Sequence, residues 1–179
     1  MYIGLISDSH IAWPEQSWPS SQIKEKLRGV DLILHAGDIW ISWVLDELET
    51  IAPVLAAQGD DDLAEDIGND PRITKRQTLC YEGVNLWVTH IKPRYGQIDP
   101  ASQVNYYNTF NRHFHEEVST PPDVIVFGHT HFAEIENFKS TLLINPGSPT
   151  LPQYIPQLGT VGLLTLKDGK VEAKIVPLE

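Results

Sequence analysis

Short apolar runs that break off into polar or glycine-rich turns recur along the chain, at Tyr2 to Ile6, Leu32 to Leu34, Val54 to Ala57, Leu86 to Val88 and Val124 to Phe127. Unbroken apolarity over so few residues, bounded by turn formers, predicts strands buried on both faces. Between the first of them the period changes. Ile23 and Leu27 follow a Ser20 or Ser21 cap, and Val44, Leu48 and Ile51 fall on one helical face. Strands alternating with amphipathic helices point to an α/β fold.

The later chain changes character. Ile73 to Tyr81 and Val84 to Thr89 flank Glu82-Gly83, which reads as a two-residue hairpin turn. Ala133 to Phe138, Leu142 to Ile144, Val161 to Leu166 and Val171 to Val176 follow, the last two joined through Asp168-Gly169, and they predict an antiparallel meander. A parallel half followed by antiparallel strands predicts two stacked sheets with helices outside, in one domain over residues 1–179. The stretch from Ile91 to Pro122 is too long for a simple loop. Val104, Tyr107, Phe114 and Val118 lie near helical spacing and predict a helix over Ala101 to Val118.

A length of 179 residues is about 1.2 times the usual domain of roughly 150, and 41% hydrophobic with 21% charged residues excludes disordered and fibrous classes. The formal net charge of -11 repels polyanions, so tight binding of duplex nucleic acid is not expected. Acidic clusters can nonetheless bind cations and create local positive charge that the total conceals. The single cysteine, Cys80, excludes an internal disulfide. Residues 1 to 6 run into Ser7-Asp8 without a basic leader, and no apolar run reaches 18 residues, which predicts a cytoplasmic protein with no membrane partner. Self-association is left open.

The candidate chemistry sits where predicted strands end. Asp8 and His10 follow the first, Gly37-Asp38 the second, Gly59-Asp60-Asp61-Asp62 the third, His90 the strand from 84, and His129 and His131 the strand from 124. Ligands of open α/β sheets gather at such ends, so five segments could deliver carboxylates and imidazoles to one edge. A lone Asp-x-His triplet means little, since about half an occurrence is expected by chance. His113-x-His115 repeats the His129-x-His131 spacing, but on the predicted helix its rings point apart toward solvent. Asp8, Asp38 and Asp62 could each cap a following helix, the ordinary task of an Asp after a strand. Capping does not account for the whole set. His35 reads as a core histidine or one supporting the site, and Trp13, Trp18, Trp40 and Trp43 as packing or interface residues. Mixed Asp and His ligands suit first-row transition metals, while Gly-x-Ser-x-Gly and the phosphate-binding Gly-x-x-x-x-Gly-Lys-Ser/Thr are absent. Metal-assisted hydrolysis is the reaction class that remains.

The ordered set Asp8-x-His10, Gly37-Asp38, Gly59-Asp60-x-Asp62, Thr89-His90, Gly128-His129-Thr130-His131 and Asn145-Pro146-Gly147-Ser148 resembles the calcineurin-like metallophosphoesterases. The match is to their small bacterial and archaeal phosphodiesterase branch, and it spans residues 3 to 148. The resemblance implies a four-layer α/β/β/α sandwich with two divalent transition metal ions, manganese first, with iron, zinc or nickel as alternatives. It assigns one ion to Asp8, His10, Asp38 and His131, and the other to Asp38, Asp60, His90 and His129, with Asp38 bridging. A hydroxide shared by both ions would then attack phosphorus in line on a small phosphoester. The Asn145-Pro146-Gly147-Ser148 segment is similar to the family's turn beneath the site.

Three positions depart from the family. Asp60 stands where Asn is usual, Ile91 where Gly is usual, and Asp61 where larger relatives carry a histidine thought to protonate the leaving group. No side-chain general acid is therefore identified. Two dications against three carboxylates leave about +1 at the site, where an Asn would leave +2. The acidic residue at position 60 is also similar to the eukaryotic retromer scaffold subunit of this fold, which implies a second reading as a binding surface.

Overall fold

A computed structural model describes residues 1–14, 16–98 and 121–179. The helix expected over 101–118, with His113 and His115, lies outside the described residues. Eleven strands are described in two mixed sheets. The first holds β1 (Tyr2–Ile6), β2 (Leu32–His35), β3 (Val54–Ala57), β4 (Ile73–Thr74), β10 (Thr160–Lys167) and β11 (Lys170–Pro177). Its order is β11-β10-β1-β2-β3-β4, with β1 to β4 parallel and β10 and β11 antiparallel. The second holds β5 (Gln77–Tyr81), β6 (Val84–Val88), β7 (Val124–Val126), β8 (Glu134–Phe138) and β9 (Thr141–Asn145). There the order is β5-β6-β7-β9-β8, with β6, β7 and β9 parallel.

Period-2 alternation divides these strands among three apolar layers. Ile3, Leu5, Leu32, Leu34 and Leu164 pack between the sheets against Leu86, Val88, Val126 and Ile144. Ile6, Ile33 and Val54 face the other way, onto Ile23 of α1 (Ser20–Lys26), Leu27 at its C-terminal cap, and Val44, Leu45 and Leu48 of α2 (Trp43–Glu49). Trp87, Ile125, Phe127 and Leu143 cover the far face of the second sheet with Ile98 of the short helix Tyr95–Ile98. The result is helix, sheet, sheet, helix.

Three sequence expectations are corrected. Ile73 to Tyr81 is not one strand. Thr74 completes β4 in the first sheet, and the chain crosses at Lys75-Arg76 to start β5 in the second. Nor do the last four strands form one meander, because β8 and β9 pair within the second sheet while β10 inserts beside β1 in the first. The expected serine cap is also absent. Ser20 donates its hydroxyl to Glu47 Oε2 of α2 at 3.0 Å, a tertiary bond that takes it away from the helix end. The two hairpin turns do match their signals, with Glu82-Gly83 and Asp168-Gly169 at positive φ throughout.

Candidate metal centre

The parallel strands of both sheets end at one edge, and the loops that follow them carry Asp8, His10, Asp38, Asp60, Asp61, Asp62, His90, His129 and His131. Asp8, His10, Asp38, His129 and His131 all have positive φ between 47° and 71°, a region that costs non-glycine residues energy and is occupied where surrounding bonds enforce it. Those bonds run between the loops. Asp8 N–H donates to Gly37 O at 2.9 Å and His10 N–H to Asp38 O at 3.1 Å, locking the first loop to the second. Gly128 is required by contact, since a Cβ there would lie 1.8 Å from Ser7 Oγ. At Gly59 a Cβ would lie 2.0 Å from Asp38 Oδ1.

Asp62 neither caps a helix nor joins the cluster. Its Oδ1 accepts the N–H groups of Ile39 at 2.7 Å and Trp40 at 2.8 Å, and its Oδ2 accepts that of Gly59 at 2.7 Å. It therefore pins the loop after β2 to the loop after β3. On the other side Asn145 Nδ2 donates to Gly128 O and Thr130 Oγ1, both at 3.0 Å, and Ser148 Oγ donates to Asp8 O at 2.7 Å. His35 lies wholly buried between Ser9 Oγ, at 2.6 Å from its Nε2, and the Gly37 N–H, which donates to its Nδ1 at 3.1 Å. Burial pushes it down to about 3, so it stays neutral.

Four groups of side chains bring ligand atoms within 4.8 Å of one another: Asp8, His10 and His131; Asp60, His90 and His129; Asp8, Asp38 and His90; and His10, Asp38 and Asp61. Asp38 Oδ2 lies 3.5 Å from His10 Nε2 and 3.2 Å from His90 Nε2, so one carboxylate reaches into both halves. His90 Nε2 is also 2.8 Å from Asp60 Oδ1, and His129 Nδ1 is 3.1 Å from the same oxygen. Across the cluster His10 Nε2 and His131 Nε2 are 3.0 Å apart.

These groups fit a cation. The Nδ1 atoms of His90 and His131 sit 2.8 Å from the carbonyls of Ala36 and Leu151, which fixes the proton there and leaves Nε2 facing the cluster. Nε2 of His90 is buried and has no hydrogen-bond partner of good geometry. Burial holds His10 below its ordinary value despite the pull of Asp38, the neutral state a ligand needs. Burial raises Asp8 although Ser7 donates to its Oδ2 and His129 N–H to its Oδ1. Burial likewise acts against ionisation of Asp38 and of His90, yet their mutual contact prevails, lowering Asp38 and lifting His90 to about 9.

Aromatic rings flank the half built on His10 and His131. Tyr154 stacks on His131 at 4.2 Å and donates its hydroxyl to His129 O at 3.1 Å, while Trp40 meets the His10 ring edge-on at 4.9 Å. Tyr154 carried no sequence signal; it falls in a short turn over Pro152–Tyr154 whose positive φ values at Gln153 and Tyr154 are unannounced by glycine. Trp18 and Trp43 are half-buried against the outer core, and Trp13 is exposed.

The comparisons with known proteins agree with this architecture. A probable metallophosphoesterase of Methanocaldococcus jannaschii is 32% identical over 179 residues, covering all of this chain and 82% of that protein. Among solved structures, an archaeal phosphodiesterase superposes with a TM-score of 0.67 at 22% identity, over 98% of this chain and all of the other. Vacuolar protein sorting 29 of Entamoeba histolytica, complexed with Zn2+, superposes with a TM-score of 0.65 at 19% identity over the whole of both chains. The family model described as the calcineurin-like phosphoesterase superfamily domain matches residues 1–169, and the chain belongs to that superfamily.

Proposed function

We propose that the protein is a metal-dependent phosphodiesterase acting on small phosphodiesters, with two divalent transition ions per chain. Asp8, His10, Asp38 and His131 would hold one, and Asp38, Asp60, His90 and His129 the other. The observation that carries this reading is the position of Asp38, whose Oδ2 lies within 3.5 Å of a histidine Nε2 on each side. Mixed carboxylate and imidazole donors favour manganese, with iron, zinc and nickel as alternatives. Ions so held would supply a nucleophile from water at neutral pH and neutralise charge on the phosphoryl oxygens.

The chain's own residues set the rest. Ser7 and the His129 N–H orient Asp8, and the Asp61 N–H, 3.1 Å from Asp38 Oδ1, orients the shared carboxylate. Asp61 stands where larger relatives carry a histidine, and an exposed carboxylate beside two bound cations would be a poor proton donor to a leaving group. Esters whose leaving group departs as a stable anion should therefore react best. Trp18, Trp40 and Trp43 are half-buried, as packing residues are, while Trp13 is exposed, so three of these four tryptophans support the enzyme over a scaffold.

The test is elemental analysis of wild type and Asp38→Ala, combined with kcat/KM for an aryl diester, the matching aryl monoester and an alkyl monoester. Two ions in the wild type, loss of both in the variant, and preference for the aryl diester are expected. One ion per chain would overturn the dinuclear assignment, and fastest turnover of the alkyl monoester would overturn the substrate class. No turnover with any metal would favour the scaffold.

A further inference from the structure

Splitting Ile73 to Tyr81 into two strands has a chemical consequence. β4 is the fourth parallel strand of the first sheet, so the residue that follows it emerges at the same edge as Asp8, Asp38 and Asp60. That residue is Lys75. Gln58 N–H donates to Thr74 O at 2.8 Å, which holds the start of this crossing alongside Gln58-Gly59-Asp60. Lys75, Gln58, Thr89 and Ile91 then line a cavity of about 280 Å³ together with Gly59 and the two cluster residues Asp60 and His90.

The lining has a definite chemistry. It combines an exposed ammonium, a hydroxyl and an amide with a single apolar side chain, Ile91, which is itself half exposed. Among the described residues Lys75 makes no ion pair, and the Asp60 carboxylate nearest the cluster is already in contact with His90 and His129. On the other half of the centre the surroundings are aromatic, with Tyr154 on His131 and Trp40 on His10. One phosphodiester arm can lie against rings, and the other can enter the recess lined by Lys75.

We infer that this recess is the subsite for one arm of the diester and that it selects an arm bearing an anionic group, a carboxylate or a second phosphate, held by Lys75. The inference rests on the phosphodiesterase reading above. A surface of net charge -11 repels such a substrate at long range, and Asp60 leaves the metal centre with less positive charge than an Asn would. Lys75 supplies a positive charge at the one place where the second anion would lie. Its volume admits a group of about one ring's size.

The test uses the metal-loaded protein and three 4-nitrophenyl diesters whose second arm is phenyl, 4-carboxyphenyl or 4-phosphonophenyl. Wild type should favour a charged arm over phenyl by roughly tenfold to a hundredfold in kcat/KM, carried by KM, as a charge-assisted contact provides. The better of the two charged arms identifies the anion. In Lys75→Ala the charged-to-neutral ratio should collapse toward one, and Lys75→Arg should keep most of it. Calorimetric binding of phenylphosphonate and 4-carboxyphenylphosphonate, which have no ester to cleave, gives the same comparison without catalysis. If no diester is turned over the phosphodiesterase reading fails, and calorimetry still decides the subsite. Equal affinity for the two phosphonates in wild type, or a preference untouched by Lys75→Ala, overturns the inference.

Discussion

Asp62 shows how a single side chain can build a site it never enters. Its two carboxylate oxygens accept three backbone N–H groups from two loops, and it is 5% exposed. Removing it leaves buried donors without partners, each costing about 1 to 3 kcal/mol. Asp62→Ala is therefore expected to lower stability by about 3 kcal/mol or more and to weaken metal uptake. Asp62→Asn, which keeps one carbonyl acceptor, should fall between the two. Denaturant titration alongside metal analysis checks this, and an Asp62→Ala protein of wild-type stability would show the loops to be fixed by other contacts. From sequence, Asp62 could be read only as one more acidic residue after a strand. The seven candidate ligands, by contrast, were legible because they fall in an ordered set of motifs, each placed shortly after a strand. What distinguishes Asp62 is a donor geometry reaching 23 residues back along the chain to Ile39, which local spacing does not encode.

At the scale of elements, the legible features were the ones with local causes. Central strands of the first sheet read clearly because both faces are apolar, and the Asp168-Gly169 turn read clearly because its backbone demands positive φ. The crossing at Lys75-Arg76 did not, although two adjacent charges interrupting a run from Ile73 to Tyr81 are the visible trace of a strand changing sheets. What secures β4 as a separate edge is Arg72. Its guanidinium reaches Asp70 Oδ2 at 2.5 Å, Asp46 Oδ1 at 2.7 Å and Glu49 Oε2 at 2.8 Å, tying the strand to α2. The Arg72 hydrogen bond holds the Asp70 carboxyl below the usual carboxylate range. Because the folded value is depressed, the stabilisation is complete above the ordinary value near 3.8 and fades as pH falls through the folded one. Asp70→Asn should thus cost about 1 to 2 kcal/mol at pH 7 and progressively less as acid carries the pH from 3.8 down through the folded value. Thermal melts of both proteins across that range measure it, and a gap that persisted in strong acid would mean that packing, not charge, holds the edge.

For the whole molecule, the decisive feature is that the candidate ligands come from both sheets. Asp8, His10, Asp38 and Asp60 follow strands of the first, and His90, His129 and His131 follow strands of the second. The order of motifs made the set recognisable in the sequence. The convergence was not readable there, because it depends on β6 and β7 lying over β1 and β2 with their C-terminal ends aligned. Between these ends the buried charge is arranged as carboxylates against histidines, where, against the effect of burial, contact with Asp38 raises His90 to about 9. An ion that binds only when both sheets are in place stabilises the fold by mass action, about 2.7 kcal/mol for each ion at a hundredfold excess over its Kd. In a chain of this length that corresponds to a rise in Tm of roughly 5 to 10 °C per ion. Melting of the metal-free protein against increasing manganese or zinc should show this rise. Asp38→Ala should lose nearly all of it, because its carboxylate reaches both halves, whereas His131→Ala should lose only the part belonging to one ion. A Tm indifferent to metal would mean that the cluster is held together by its own ion pairs. Equal losses in the two variants would mean that the two halves bind as a single unit, with no independent occupancy of either.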